Sequence, residues 1–344
     1  MMKFMYLPYA ASAALIALFL MLFPSCYTMK QGMTFLGYLN RSVPLEKIGE
    51  SGNVERVGIF VAEVNRIRDF AMGTLGLKQS KNYTRYVDLD RDYLAAIVSA
   101  CSPVAFERHT WWFPVVGRVP YKGFFNVEDA RKESAKLRKK GLDVWVRPVD
   151  AFSTLGFFRD PLYSYMTDYP VHRLADLIIH ELVHATIYIK SDSAFNESLA
   201  EFIGKEGARR YIETYYGLDS GQYRAIDAGN ADNKAFVEFA QLIIKALDAV
   251  YTDGALSHEE KLARKAAVIA GAQEDFAARY DSLFETENYR GFSTMQINNA
   301  YLDLYRLYNE EDSYFEDIYN SMGRDLPAFI AAAKTWKGKN RIAD

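Results

Sequence analysis

The sequence predicts an α+β chain in which helices are the majority and a small mixed sheet lies beside the functional helix. Two patterns predict this: apolar residues recur at three- and four-residue spacing over much of the chain, and three short stretches are rich in strand formers or alternate in polarity. Composition supports it, since 344 residues that are half apolar and a quarter charged can bury a large core, as one big domain or two smaller ones. Disorder is excluded on the same ground. A net charge of −3 leaves no electrostatic footprint for nucleic acid, and no basic cluster interleaved with aromatics argues otherwise, so nucleic acid is not an expected partner. The 24 Tyr and 22 Phe suit a thick core by default, and an aromatic-lined peptide cleft as the alternative.

Residues 1–25 read as a signal segment. Lys3 precedes an apolar run from Met5 through Phe23, and Ser25-Cys26 follows Pro24, the order of a lipoprotein signal in which Cys26 carries the lipid. Phe23 and Pro24 are unusual in such a signal, so an uncleaved anchor helix is the second reading. Both readings export the domain to a bacterial cell envelope and tie it to a membrane. With Cys26 acylated, Cys101 is left alone, so no internal disulfide is expected and Cys101 is a small buried hydrophobe, not a nucleophile.

The remaining elements follow in order. Residues 28–42 and 54–77 show helical spacing (Val57, Phe60, Val61, Val64, Ile67, Phe70) and form an early helical layer. Tyr93 to Val98, Trp112 to Val119 and Asp143 to Arg147 read as strands, with a charged helix over Glu128 to Lys140. Ala151 to Leu155 reads as an edge strand, from which Ser153, Thr154, Leu155 and Gly156 could hydrogen-bond an extended peptide. The next helix runs from Asp168, its expected cap, through Lys190, with Val171, Leu174, Ile178, Leu182 and Ala185 on its apolar stripe.

This helix carries His180-Glu181-Leu182-Val183-His184. Two imidazoles four residues apart share one helix face and can hold one zinc ion, and the glutamate beside the first can act as general base toward water. After Lys190-Ser191-Asp192, Ser193 is the expected cap of a second helix, whose acids Glu197, Glu201 and Glu206 punctuate Ala194, Phe195, Leu199, Phe202 and Ile203. Folded back on the first helix, this one would bring Glu197 in as third ligand and leave a fourth tetrahedral position for water. Glu201 would accept the free N–H of a ligating histidine. His109, His172 and His258 have no metal-ligand spacing and read as structural or solvated.

Residues 216–233, rich in Gly, Asp, Ser and Asn, read as a linker between the metal-bearing region 26–215 and a helical region 234–344 that closes the cleft. Ser257 and Glu260 form a capping box before a long charged helix, and Ile297 to Tyr308 reads as another helix.

Asn196-Glu197 followed by Glu201 resembles the gluzincin pattern, in which an Asn-Glu pair supplies the third zinc ligand and an acid four residues on orients a histidine. The interval of thirteen residues from His184 to Glu197 is shorter than in thermolysin-like enzymes, which makes Glu201 the substitute ligand. The run Ala151 to Leu162 together with Ala194 to Ser198 resembles the bacterial family of predicted aminopeptidases. In order, Arg68 to Ala71, Leu75 to Leu77, Phe113 to Gly117, Tyr121 to Phe125 and Asn298 to Ala300 resemble the same family, over most of residues 26–330. The resemblance implies a zincin-like metallopeptidase with one zinc ion, a peptide or protein substrate and aminopeptidase activity. It also implies a tyrosine from the carboxy-terminal side that donates to the developing oxyanion, for which Tyr308 is the candidate and Tyr305 the next. The residues alone leave open an endopeptidase, because no separate acidic motif captures a free amine. They also leave open a lipid-anchored binding or chaperone-like module that does not cleave, and an envelope scaffold.

Overall fold

The computed structural model of the chain describes residues 27–50, 54–113, 117–150, 159–190, 192–306 and 311–336. Within them the fold is α+β, helix-rich, with small sheets. The order is α1 (Tyr27–Arg41), β1 (Val43–Pro44), α2 (Val54–Asp69), β2 (Arg85–Val87), β3 (Ala95–Cys101), β4 (Trp111–Phe113), β5 (Gly117–Val119), β6 (Tyr121–Phe124), α3 (Val127–Arg138), β7 (Asp143–Val149) and β8 (Leu162–Tyr163). Then come α4 (Val171–Thr186), α5 (Ser193–Tyr216), α6 (Gly221–Thr252), α7 (His258–Leu283), α8 (Asn299–Leu302), α9 (Glu311–Ser321) and α10 (Leu326–Ala333). No helix among the described residues is long and apolar enough to cross a membrane. Cys26, Ser153 to Gly156 and Tyr308 lie outside the described residues, as does the edge strand expected at Ala151 to Leu155.

The mixed sheet has the order β1-β2-β8, with β1 antiparallel and β8 parallel to β2. It leads through a 3-10 turn, Ser164–Asp168, straight into α4. A second sheet, β6-β3-β7, is antiparallel throughout. Its Ala96, Val98, Ala100, Phe124 and Val144 cluster with Ala130 and Leu137 of α3, so alternation along the strands turns the intervening residues to the other face. The expected strand from Trp112 to Val119 is instead the antiparallel pair β4 and β5.

Helix ends differ from the sequence expectation in ways that local chemistry explains. Pro170, not Asp168, is the N-cap of α4, because its fixed φ of −54° suits the turn and its missing N–H leaves no donor orphaned; Asp168 closes the preceding 3-10 turn and pairs with Arg56. Asp192, not Ser193, caps α5, its carboxylate accepting from the Phe195 N–H at 3.3 Å. Ser257 and Glu260 form the expected capping box of α7.

Residues 221–233, which composition marks as linker, are the first turns of α6; the break shrinks to Gly217–Ser220, with Ser220 capping the Tyr223 N–H at 3.1 Å. Tertiary packing overrides the weak helix propensity of Gly and Asn here. Asp232, only 1% exposed, is fixed by accepting from Glu285 N, Thr286 N and Thr286 Oγ1 at 2.6–2.8 Å. The helix expected over Ile297 to Tyr308 is only α8 followed by a 3-10 turn, Asp303–Tyr305.

The largest core surrounds α4 and α5 and takes in α2 and the far C-terminal α9 and α10. A second core joins α6, α7 and Phe292. The second core docks onto β7 through Asn298 and Asn299. Asn299, fully buried, donates from its backbone to Asp143 at 2.8 Å and from its side chain to Ser102 O at 2.9 Å, while Asn298 donates to Val144 O at 3.1 Å.

Two expectations follow. A Cβ at Gly207 would meet Ile179 Cδ1 and Cγ2 at 3.0 Å and Leu75 Cδ1 at 3.1 Å. Gly207→Val should therefore lose about 1–3 kcal/mol in chemical denaturation through overpacking between α5 and α4. Cys101 is 1% exposed and burial pushes its thiol up to about 12, so thiol labelling of the folded protein at pH 8, read by peptide mapping, should leave Cys101 unmodified until denaturant is added.

Candidate metal centre

The apolar stripe of α4 buries Leu174, Ala175, Ile178, Ile179, Leu182 and Val183, which aims the neighbouring face, Asp176, His180 and His184, at α5. The Nε2 atoms of His180 and His184 stand 3.2 Å apart, with the rings at 81°. Glu197 completes the group from α5, its Oε2 lying 3.7 Å from His180 Nε2 and its Oε1 3.6 Å from His184 Nε2.

Two features bring α5 into place. Asn196, 4% exposed, clamps the connection by accepting from Ile189 N and donating to Ile189 O, both at 2.8 Å. One clamp residue therefore sets the phase of the next side chain, Glu197. Farther along, Gly204 faces α4 so closely that a Cβ would lie 2.5 Å from Asp176 Oδ1, 3.1 Å from His180 Cβ and 3.2 Å from Asp176 O.

The donor set suits a metal ion. A tetrahedral ion at about 2.0–2.1 Å from each ligand spaces the ligand atoms about 3.3–3.4 Å apart; here the two imidazole nitrogens are 3.2 Å apart, and with one oxygen taken from Glu197 the three ligand atoms all lie within 4.8 Å of one another. His180, His184 and Glu197 could therefore hold one ion once the Glu197 carboxylate closes on the imidazoles. His184 is enclosed while the Glu197 side chain is 66% exposed, so the group sits at the floor of an open surface and is reachable by a substrate.

Charge within the group is strongly coupled. Burial works against ionisation of Glu197, but the nearby imidazoles of His180 and His184 outweigh it and hold its carboxyl well below the usual range. Burial likewise opposes charge on His180, and the Glu197 carboxylate more than offsets it, raising the imidazole. Glu181 has a different environment: it is 6% exposed, its Oε2 is enclosed with no hydrogen-bond partner, and burial pushes it up to about 7 against the pull of both imidazoles.

Behind Glu181 lies a residue that the sequence reading did not single out. Tyr83 is fully buried, its hydroxyl has no hydrogen-bond partner among the described residues, and it lies within electrostatic reach of Glu181 and of Asp160. Its φ of 61° is costly for an aromatic residue and is held by neighbours. Tyr83 N donates to Asp160 O at 2.7 Å, Asn82 Nδ2 donates to the Asp160 carboxylate at 3.2 Å, and Arg68 ties down Ser80 O and Asn82 O at 2.9 and 3.0 Å.

Of the other sequence candidates, Glu201 accepts from Lys205 Nζ at 2.6 Å. Asp176, one helical turn before His180, is a carboxyl within electrostatic reach of it, which burial pushes up to about 6 despite the nearby His180 and Lys205. Its i−4 spacing to His180 was the available signal. Tyr305 turns its hydroxyl to Tyr301 at 3.4 Å. Tyr121 of β6 lies within electrostatic reach of Glu197, a placement that needed the sheet register to be seen.

A family model described as "Putative aminopeptidase" matches residues 26–343. The chain belongs to that family. No curated protein and no solved structure matches it. Membership points to peptidase activity, and several landmarks that resemble the family have structural duties here: Arg68 pins the Tyr83 loop, Asn196 clamps the α4–α5 connection, and Asn298-Asn299 docks the second core.

The geometry predicts that Asp176→Asn and Gly204→Ala each weaken metal binding by about 10–100-fold, the first by loosening His180 and the second by moving α5 away from it. Competition against a chromophoric chelator measures both.

Proposed function

We propose that this protein is a zinc-dependent peptidase and, within that class, an aminopeptidase. The observation that carries the reading is the convergence of His180 Nε2, His184 Nε2 and a Glu197 carboxylate at 3.2–3.7 Å, beside a buried Glu181, in a chain of a peptidase family. Two imidazoles and one carboxylate are a donor set typical of catalytic zinc, and three protein ligands are the number that leaves a place for a reactant. When bound, zinc supplies a Lewis acid for the scissile carbonyl and lowers the pKa of water to about 7.

The protein's own residues do the rest. Glu181 takes the proton from the attacking water and returns it to the leaving amine; burial raises its basicity toward the pH at which such a shuttle works best. Asp176 holds His180 in orientation. Tyr121, within reach of Glu197, is the hydroxyl suited to donate to the carbonyl oxygen as it gains charge. This is the role that the family resemblance assigned to Tyr308, or to Tyr305 after it. We also propose that the protein works in the cell envelope as a lipoprotein anchored through Cys26, on the strength of the order Lys3, apolar run, Ser25-Cys26.

Glu181→Gln should retain stoichiometric zinc and lose at least about a thousandfold in kcat on amino-acyl chromogenic substrates, whereas His184→Ala should lose the metal itself. Metal analysis beside steady-state assays separates the two. Full turnover in Glu181→Gln would refute the role given to it, and cleavage of amino-blocked peptides as fast as free ones would make the enzyme an endopeptidase.

A further inference from the structure

The first turn of α1 sits directly on a two-stranded hairpin. Tyr27 opens α1, its hydroxyl donates to Gly123 O, and its ring packs against Phe124 at 5.4 Å and against Phe113 of β4 at 5.7 Å between centroids. From α3, Glu133 holds the same hairpin: Trp111 Nε1 donates to its Oε1 at 2.8 Å, and Lys122 reaches that oxygen at 3.7 Å. Trp111 and Phe113 are thus the inner face of β4, and alternation turns Trp112 outward. Register sets Trp112 directly opposite Arg118 of β5, so these two share the outer face. Trp112 is 65% exposed, although tryptophan is among the most buried residues on average.

The flank of α3 beside the hairpin is basic. Asp129, which Lys30 of α1 meets at 2.5 Å, and Glu133 mark the side of α3 that faces α1 and the hairpin, while Ala130 and Leu137 pack on the sheet. At about 100° per residue, Lys132, Lys136, Lys139 and Lys140 all fall within about 120° of Glu133, on the side away from the packed stripe. All four are exposed. The two acids of this flank are already engaged, Asp129 by Lys30 and Glu133 by Trp111 and Lys122, so the flank is positive in a chain whose net charge is −3.

Position along the chain identifies what this surface meets. Tyr27 immediately follows Cys26, the residue proposed above to carry the lipid, and no residue separates Cys26 from α1. A membrane held at Cys26 is therefore brought against the surface around Tyr27, and the hairpin is in contact with Tyr27 itself. Tryptophan settles at the boundary of headgroups and acyl chains, and lysine and arginine beside it are drawn to anionic headgroups.

We propose that Trp112 and Arg118 of the hairpin, with the lysine flank of α3, dock on an anionic lipid bilayer and fix the orientation of the domain on its membrane. This goes beyond the peptidase reading and rests on the anchor reading. A single tether leaves a domain free to swivel, whereas a second contact sets which way it faces.

The test uses the full chain reconstituted into vesicles of phosphatidylcholine alone or mixed with phosphatidylglycerol, with and without brominated acyl chains. Comparison with Trp112→Phe isolates the emission of Trp112. In the mixed vesicles that emission should shift to the blue and be quenched by the brominated lipid, and added salt should weaken the quenching. In phosphatidylcholine alone, and in Lys136→Glu/Lys139→Glu/Lys140→Glu protein with an unchanged unfolding midpoint, quenching should fall at least about threefold. Trp112 left open to acrylamide in the mixed vesicles, or quenching that ignores both the anionic lipid and the charge reversal, overturns the proposal. Protection of Trp112 by an oligonucleotide and not by phosphatidylglycerol overturns it as well. Retention on neutral vesicles with Trp112 exposed in both compositions leaves the anchor standing and ends the docking surface. If mass spectrometry finds no lipid on Cys26 and the chain washes off neutral vesicles, yet phosphatidylglycerol still protects Trp112, the anchor reading fails and the docking surface stands.

Discussion

The close contact of α4 and α5 is what the rest of the site depends on. Two histidines four apart on one helix converge by helical geometry alone, but a third ligand from another element requires the distance between helices to be fixed. That distance is fixed from both ends of α5. At its start, Asn196 grips the Ile189 peptide with two hydrogen bonds of 2.8 Å; farther on, Gly204 and Gly207 offer bare backbone to Asp176, His180 and Ile179. The same glycine that lets the helices approach leaves room beside it for both Asp176 and the base of His180. Helix packing and ligand orientation are therefore one constraint.

Around Glu181 the fold gives up stability. A carboxyl enclosed with an unpartnered oxygen, beside a buried tyrosine whose hydroxyl is also unpartnered, is unfavourable by about 1–3 kcal/mol per orphaned group. The left-handed backbone of Tyr83 adds to this cost. Such a cluster persists because its surroundings over-determine it: four hydrogen bonds hold the loop, two from the Arg68 guanidinium to backbone carbonyls, one from the Asn82 side chain to the Asp160 carboxylate and one from Tyr83 N to Asp160 O. Such local violations of good folding are the kind found at functional sites.

What was legible in the sequence, and what was not, divides along physical lines. His180, His184, Glu197 and the α4 and α5 helices were legible because helical period and short spacing carry that information locally. The strands at residues 95–101 and 143–149 were legible for the same reason. The place of Tyr121 was not, since it shares a sheet face with Ser99 and Trp145 only through the register of β3 with both of its neighbours. Asp176 was overlooked although its spacing was visible, because an acid one turn ahead of a histidine resembles any solvated helix face. The polar stretch at residues 221–233 misled because composition reports exposure as readily as flexibility, and α6 has a solvent face to carry those residues.

The C-terminal helices complete the account of how an exposed ligand can be held still. After the second core, the chain returns, so that Phe315 of α9, Phe329 of α10 and Trp336 pack against Phe195 and Phe202 of α5, with ring centroids 5.2–6.3 Å apart for Phe195–Phe315, Phe202–Phe329 and Phe195–Trp336. Phe195 is the second residue before Glu197 and is almost fully buried, whereas Glu197 stands largely in solvent. Helix positions two apart point about 200° apart, so the face that carries Phe195 can be locked in an aromatic core while the opposite face meets the imidazoles. Rigidity at Glu197 is thus imported from residues more than a hundred positions away, and openness at the metal group does not require looseness of the backbone beneath it.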